Sequence, residues 1–302
     1  MTPRLIAMPV VAALTAVLLV GCGSTSTTPR SASIAPGASR FLASAATKST
    51  GTPSMKTQVN VTMLSSKLPG GRMDMTANGA LDNTNHRMDM QLDMSKFVAG
   101  FGAGAAALGS ASDWVGEEIG DFGAGRAVLY MKLPVLTKVM PGGKPWIKID
   151  LGEIGKRAGI DISQFTQLAT DPTQMVDWLR AASGSVTTVG TENIGGEQTT
   201  HYKATIDIDK YPDLVPPEQR DLMRHAVDSI KKATHLSKFP MHVWVGKDGL
   251  VRQVRTVLTE AVQGQTVNVV TSERFYDFGV PVTIALPPDD QVTDISNLGT
   301  GG

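Results

Sequence analysis

The sequence has 302 residues, of which 41% are hydrophobic and 5% aromatic, and its 28 basic side chains balance 28 acidic ones. A net charge of zero provides no electrostatic footprint for nucleic acid. The length and the hydrophobic fraction are sufficient for one sizeable globular domain with its own core.

The amino terminus has the layout of a secretion signal. A short basic stretch, Met1 to Arg4, precedes the almost wholly apolar run from Leu5 to Val20, which ends at Gly21 and Cys22. The run is short for a membrane span, and no basic stop-transfer cluster follows it. Residues 19–22, Leu-Val-Gly-Cys, match the lipobox of bacterial lipoproteins. The pattern therefore predicts a signal peptide at residues 1–21 that is cleaved before Cys22.

The same match predicts what becomes of Cys22. In lipoproteins this cysteine carries a diacylglycerol and an N-acyl chain, which would hold the protein on the extracytoplasmic face of the cell membrane. No other cysteine occurs in the chain, so acylation would leave none for a disulfide or a metal site. The alternative is an ordinary signal with a chance cysteine. We expect no other cofactor.

Composition divides the rest of the chain into three parts. Residues 22–39 are rich in Ser, Thr, Pro, Gly and Ala, which is typical of a flexible tether. Residues 40–290 are expected to form one domain, and residues 291–302 a flexible tail. Nothing repeats at a solenoid period.

Alternating apolar and polar residues predict that most of the domain is antiparallel sheet. Val59, Val61 and Met63 alternate with polar residues, and the same period of two recurs around Met75 and Met90. Further strands are predicted at residues 128–133, 146–151, 198–208, 240–245, 251–259 and 266–275, with a hairpin turn at residues 247–249.

Two helices and one weaker helix interrupt the strands. Asp171 followed by Pro172 is a helix start, and a second helix begins near Pro216. Residues 41–46 form the weaker candidate. Because strands and helices do not alternate, a parallel α/β domain is disfavoured. The prediction is an α+β fold in which a strongly curved antiparallel sheet, a half-barrel, wraps around helices.

Several phrases of the sequence resemble a known family. They are residues 190–202 (GTENIGGEQTTHY), residues 204–207 (ATID), residues 240–245 (PMHVWV) and residues 248–252 (DGLVR). In their order and residue pattern these segments resemble the LppX/LprAFG family of actinobacterial lipoproteins, over most of residues 54–278. The resemblance implies a LolA/LolB-like half-barrel that encloses a hydrophobic cavity for acylated lipid.

The candidate cavity-lining residues are those that strand parity or helix spacing places on the inner face. Many are methionines, whose unbranched side chains can reshape around an irregular guest; the alternative for each is ordinary core packing. They are Val59, Val61, Met63, Met73, Met75, Met88, Met90, Leu92, Met94, Leu129, Met131, Ile147, Ile149, Met175, Trp178, Leu179, Tyr202, Ala204, Ile206, Leu222, Ala226, Ile230, Val243 and Val245.

The sequence contains no catalytic motif that would nominate an enzyme. Nucleophile-elbow, Walker A and zinc-helix patterns do not occur in it. Glu117 and Glu118 are interpreted as a solvated turn, and His201 and His242 as exposed or loosely satisfied side chains. The Gly/Ala-rich segment 98–125 is expected to be mobile, either as a lid at the cavity mouth or as a plain connection.

Two functions remain open. One is a membrane-anchored lipoprotein that binds and carries acylated lipid or glycolipid, with an envelope transporter as a further partner. The other is an anchored protein-interaction or sensor-accessory module with a filled core. An open apolar cavity of several hundred Å³ distinguishes the first from the second.

Overall fold

The computed structural model describes residues 33–34, 38–66, 68–99, 109–123, 126–139, 143–153, 186–213, 217, 220–234, 236–262 and 265–295. Within these ranges, thirteen strands join in one sheet. They are β1 (Ser33–Ile34), β2 (Ser54–Leu64), β3 (Arg72–Asp82), β4 (Arg87–Asp93), β5 (Val115–Asp121), β6 (Val128–Lys132), β7 (Trp146–Asp150), β8 (Thr187–Ile194), β9 (Glu197–Asp207), β10 (Lys238–Gly246), β11 (Val251–Val262), β12 (Gln265–Tyr276) and β13 (Val292–Asp294).

The strands follow the order β1-β8-β9-β10-β11-β12-β2-β3-β4-β5-β6-β7-β13. Each pair is antiparallel except β7 with β13, which is parallel. The sheet is curved and does not close on itself. Pairing of β12 with β2 joins two meanders, β8 to β12 and β2 to β7, into one surface. The predicted α+β half-barrel is thereby confirmed.

The predicted hairpin after β10 is also confirmed. Gly246 donates a backbone hydrogen bond of 2.9 Å to the carbonyl of Leu250. Gly249 in the turn has a φ of 78°, which glycine adopts without the steric penalty of a side chain. The turn thus fixes how β10 and β11 pair.

The described helices are α1 (Ala38–Thr50), α2 (Ser95–Ala99), α3 (Pro134–Val139) and α4 (Arg220–Thr234). The weaker candidate at residues 41–46 is confirmed as α1, which is longer than predicted. The helix expected after Pro216 is confirmed as α4. The helix expected at Asp171, with Met175, Trp178 and Leu179, lies outside the described residues.

One face of the sheet, the inner face, carries two separate apolar clusters. We call the first the helix-covered half, because α1 and α4 pack there against β9, β10 and β11. Its buried members are Ala38, Leu42, Ala45, Ala46, Met55, Val186, Ala204, Ile206, Ile208, Tyr211, Met223, Val227, Phe239, Met241, Val243, Val245, Val251, Leu258 and Phe275.

We call the second cluster the methionine half. It extends over β2 to β7 and is bordered by the short helices α2 and α3. Its buried members are Val59, Val61, Met75, Ala77, Met88, Met90, Leu92, Met94, Val98, Trp114, Leu129, Met131, Leu133, Ile147 and Ile149. Five methionines lie in this half, against three in the larger helix-covered half.

The prediction of one mobile segment across residues 98–125 is wrong for residues 109–123. A 3₁₀-helix, Ala111–Trp114, leads directly into β5, and Trp114 is buried. Strand β5 is a central member of the sheet, so replacing the whole segment would remove it. Residues 100–108 lie outside the described residues, and a lid there stays a prediction.

Two predicted boundaries also change. The residues assigned to a tail beyond 290 include β13, which pairs with β7. The residues assigned to the tether include β1, which pairs with β8. Short stretches of both segments therefore belong to the sheet.

Candidate functional site

In the methionine half, the strand register places predicted inner-face residues directly opposite one another on neighbouring strands. Val59 on β2 lies opposite Ala77 on β3, which lies opposite Leu92 on β4. Val61 likewise faces Met75. Residues directly opposite on adjacent strands point to the same face, so these side chains form a continuous apolar surface.

A small cavity lies against this surface. Its volume is about 20 Å³, enough for one water-sized group. It is lined by Val59, Val61, Met75, Thr76, Ala77, Leu92, Met94 and Glu118. Five of the predicted lining residues therefore meet at one place, together with three that the sequence analysis did not nominate.

The other predicted residues of this half surround that cavity without lining it. Met88, Met90, Leu129, Met131, Ile147 and Ile149 are buried in the same cluster. Met63 is half-buried and lies opposite Met73, which is buried.

The predicted residues on β9 and β10 lie elsewhere. Ala204, Ile206, Val243 and Val245 are buried under α1 and α4, with Tyr202 packed against them. Leu222, Ala226 and Ile230 lie in α4, and their side chains are outside the described part of the structure. The structure thus gathers the predicted residues into two places on one face. Contact with lipid stays a prediction for both.

Glu118 is the unexpected member of the cavity wall. The interpretation of Glu117 and Glu118 as a solvated turn is wrong: both lie in β5, and Glu118 is only 8% exposed. On the inner face Glu118 lies between Met90 on β4 and Met131 on β6. Burial among these apolar groups raises the pKa of its carboxyl to about 7. Near neutral pH this group is therefore poised between its two protonation states.

Glycines explain why β5 was missed and how Glu118 is seated. Gly116 and Gly120 lie two residues on either side of Glu118 and share its face. A Cβ at Gly116 would lie 2.1 Å from the carbonyl oxygen of Lys132, and one at Gly120 would lie 2.4 Å from the ring of Phe122. The backbone approaches so closely at Gly116 that only glycine fits there, whereas a side chain at Gly120 would require the ring of Phe122 to move. The two glycines also remove the alternating apolar pattern that marks a strand.

A second acidic group lies on the inner face, at β12. Thr57, which is buried, donates a 2.9 Å hydrogen bond to Glu273 Oε1. Burial also raises the pKa of Glu273. Unlike Glu118, this carboxyl has a hydrogen-bond donor, so the two acids differ in how well their polar atoms are satisfied.

The outer face of β8 to β10 holds a polar cluster in which both histidines are hydrogen-bonded. His201 Nδ1 lies 2.7 Å from Glu192 Oε1, and His201 Nε2 lies 2.8 Å from His242 Nδ1. Trp244 stacks on His201 with ring centroids 4.2 Å apart and donates a 3.0 Å hydrogen bond to Glu192. His201 is buried, so the expectation of an exposed or loosely satisfied side chain is wrong for it.

Burial of the two histidines changes their titration. Desolvation lowers the pKa of His201 and lowers that of His242 to about 4. Because a carboxylate accepts hydrogen bonds, His201 donates through Nδ1 and accepts through Nε2 from His242. Near neutral pH the two histidines are therefore neutral, hydrogen-bonded to each other and, through His201, to Glu192.

Neither a metal site nor a membrane-spanning helix is found among the described residues. The described ranges hold no group of three His, Cys, Asp or Glu side chains arranged for a metal ion. None of the helices in those ranges is both long and apolar enough to cross a membrane.

Comparison with known proteins gives matches of structure only. No family model matches the sequence, and no curated protein matches it. The chain is similar to LprF from Mycobacterium bovis, with 16% identity over 84% of this chain and 99% of that one, at a TM-score of 0.42. It is similar to the lipoprotein LppX from Mycobacterium tuberculosis, with 13% identity over 82% and 97%, also at 0.42. A LolA superfamily protein from Nitrosomonas europaea matches with 11% identity over 85% and 97%, at 0.28.

Proposed function

We propose that this protein is a lipoprotein, anchored through acylated Cys22 on the extracytoplasmic face of a bacterial membrane, that binds and carries acylated lipid on its inner face. The observation that carries the proposal is the methionine half. A broad cluster of buried apolar side chains lies there on an open sheet, with a small cavity in it. No catalytic role is proposed.

The physical work of a carrier is to shield acyl chains from water. Each methylene buried stabilises the complex by about 0.8 kcal/mol, so a long chain repays even partial burial. The cavity, at about 20 Å³, holds only a fraction of such a chain. Binding therefore requires the wall to move. Met75 and Met94 line it, and unbranched methionine side chains change rotamer with little strain.

The cavity is far smaller than the several hundred Å³ expected of a preformed carrier site, so its volume favours the second function, an anchored interaction or sensor-accessory module with a filled core. The two functions differ in whether the protein purified from cells contains bound lipid. Mass spectrometry of organic extracts separates them, using the full chain with Cys22→Ser so that no acyl group of its own contributes. A carrier yields acylated lipid in constant ratio to protein. A filled module yields none.

Met90→Trp provides an independent test of the same choice. In a filled core the added volume overpacks the methionine half and destabilises it by about 1–3 kcal/mol. In a carrier the wall moves to admit a guest, so the indole takes part of the volume that opens; melting then stays near normal and extracted lipid decreases. A destabilised variant, with no lipid in extracts of the parent protein, would leave only the interaction module.

The anchor has its own test. Cys22→Ser should leave the protein soluble outside the cytoplasm or unprocessed at its signal, because no other residue can accept the diacylglycerol. Cell fractionation after a high-salt wash measures this. If the processed variant stayed on the membrane, the anchor would not be Cys22.

A further inference from the structure

Glu118 places a carboxyl group in the apolar wall of the cavity, and no structural role for this group is evident among the described residues. It is 8% exposed and lines the cavity beside Val59, Val61 and Leu92. Within the described residues its oxygens have neither a hydrogen-bond donor nor a cation. Leaving a buried carboxyl unsatisfied costs more than replacing it with an apolar side chain, so the cost needs a compensating partner.

The groups around Glu118 show that no partner comes from neighbouring strands. The side chains beside it on the inner face, Met90 and Met131, are apolar. The charged groups nearest in register point to the outer face, where Glu117 forms a 3.7 Å ion pair with Lys132 and lies opposite Gln91 on β4, next to Asp89.

The remaining charged groups nearby already have partners. Asp113, in the 3₁₀-helix before β5, accepts hydrogen bonds from Ser110 and from Lys138 of α3. Glu273, on the same inner face, accepts from Thr57. Among the described residues, the space that the carboxyl of Glu118 borders is the cavity.

We infer that Glu118 is the polar recognition group of the lipid site, and that its ligand is an uncharged acylated lipid carrying a free hydroxyl, which donates a hydrogen bond to this carboxyl. The inference rests on the proposed carriage of lipid and names the class of lipid. A hydroxyl suits the place for two reasons. It supplies the donor that the carboxyl lacks, and it adds no charge that would itself have to be desolvated.

Ionisation of Glu118 should make the affinity for the two kinds of lipid depend differently on pH. A lipid without a donor covers the carboxyl and disfavours its ionised form, so such a lipid binds best below about pH 7 and loses affinity as the pH rises further. A hydroxyl stabilises the ionised form and protects binding above that pH. The two kinds of lipid should therefore diverge in affinity as the solution becomes alkaline.

The experiment compares a matched pair of neutral lipids, dipalmitoylglycerol with its hydroxyl free and the same diglyceride with the hydroxyl acetylated. Both are presented on cyclodextrin to the full chain carrying Cys22→Ser, and affinity is measured across the neutral range. We expect the free-hydroxyl lipid to bind at least about tenfold more tightly above neutral pH, the size expected for a hydrogen bond to a charged acceptor.

Variants of adjacent residues assign the effect to the inner face. Glu118→Leu should bind the two lipids equally and without dependence on pH, and Glu118→Gln should keep some preference but lose the pH dependence. Glu117→Gln, one residue away on the outer face, should behave as the parent does. Circular dichroism of each variant verifies folding.

The outcomes separate this inference from the carriage on which it rests. If the parent binds neither lipid at any pH, carriage itself is wrong. If it binds both lipids equally, or if a folded Glu118→Leu keeps the preference, carriage stands and the role of Glu118 is wrong. A preference that disappears in Glu117→Gln would place recognition on the outer face and would also overturn the inference.

Discussion

The two halves of the inner face are built from the same sheet but are closed in different ways. In the helix-covered half, Leu42 of α1 and the strand residues Ile206 and Val243 are completely buried. In the methionine half, two helices of five and six residues border the sheet, and a cavity with a buried acid remains between the strands. One half has the features of a stability core, and the other those of a surface that rearranges. Substitutions in the two halves should therefore differ in cost.

The largest effect is expected in the helix-covered half. Ile206→Ala removes a completely buried side chain under α1 and α4, and should lower the free energy of unfolding by about 4 kcal/mol. Urea denaturation followed by circular dichroism measures it. A loss no greater than that of a methionine-half variant would remove the distinction between the halves.

The next effect concerns Glu118 and has a definite sign with pH. Its folded pKa, about 7, lies above the ordinary value of 4.5, so the fold favours the protonated form. The associated stability is present below the ordinary value and is lost as the pH rises through about 7. This amounts to about 3 kcal/mol between acid and alkaline solution. Glu118→Leu should remove that loss, and melting curves from about pH 5 to about pH 8 should therefore converge. An unchanged pH slope in the variant would contradict it.

A smaller effect is expected for a methionine at the cavity. Met75→Ala enlarges an existing cavity whose other walls include flexible side chains, so the cost should lie near the low end for such truncations, about 2 kcal/mol. Met131→Ala is the matched control, since Met131 is buried in the same half away from the cavity wall. Thermal unfolding of the pair measures the difference. Equal losses of stability in the two variants would mean that side chains around the cavity do not rearrange to reduce the cost.

The smallest effect is on the outer face. His242 has a pKa lowered to about 4 by burial, so the fold favours its neutral form. The corresponding stability is present above the ordinary histidine value and decreases as the pH falls from about 6.5 towards 4. Because the side chain is partly exposed, solvent screening limits the effect to less than about 1 kcal/mol. His242→Gln should flatten this part of the pH profile, and melting curves of the variant and the parent over this pH range measure the difference.

The sequence predicted the parity of the methionine half correctly because a period of two is a local property. Val61 and Met75 were placed on one face, and the register puts them opposite each other. The features that were missed depend on distant residues. Gly116 of β5 lies where the backbone of Lys132 on β6 approaches it. No neighbour in sequence reveals that contact.

The same reasoning applies to the polar residues. The parity of His201 was correct, since it points away from Ala204 and Ile206, but its burial was not. Trp244 and Glu192 cover it, and they come from two other strands. For Glu118, the adjacent Glu117 suggested a solvated pair, whereas alternation sends one carboxyl to each face. A strand with little apolar character can therefore still place an acidic residue in the core.

The two outermost strands of the sheet have two and three residues. β1 pairs only with Thr187 and Thr188 of β8, and β13 pairs in parallel with β7 from Trp146 to Lys148. Proteins held on a membrane diffuse in two dimensions and collide often, which favours pairing between exposed sheet edges. For copies held by the proposed anchor, short terminal strands would limit the length of edge through which neighbours could join into continuous β-structure.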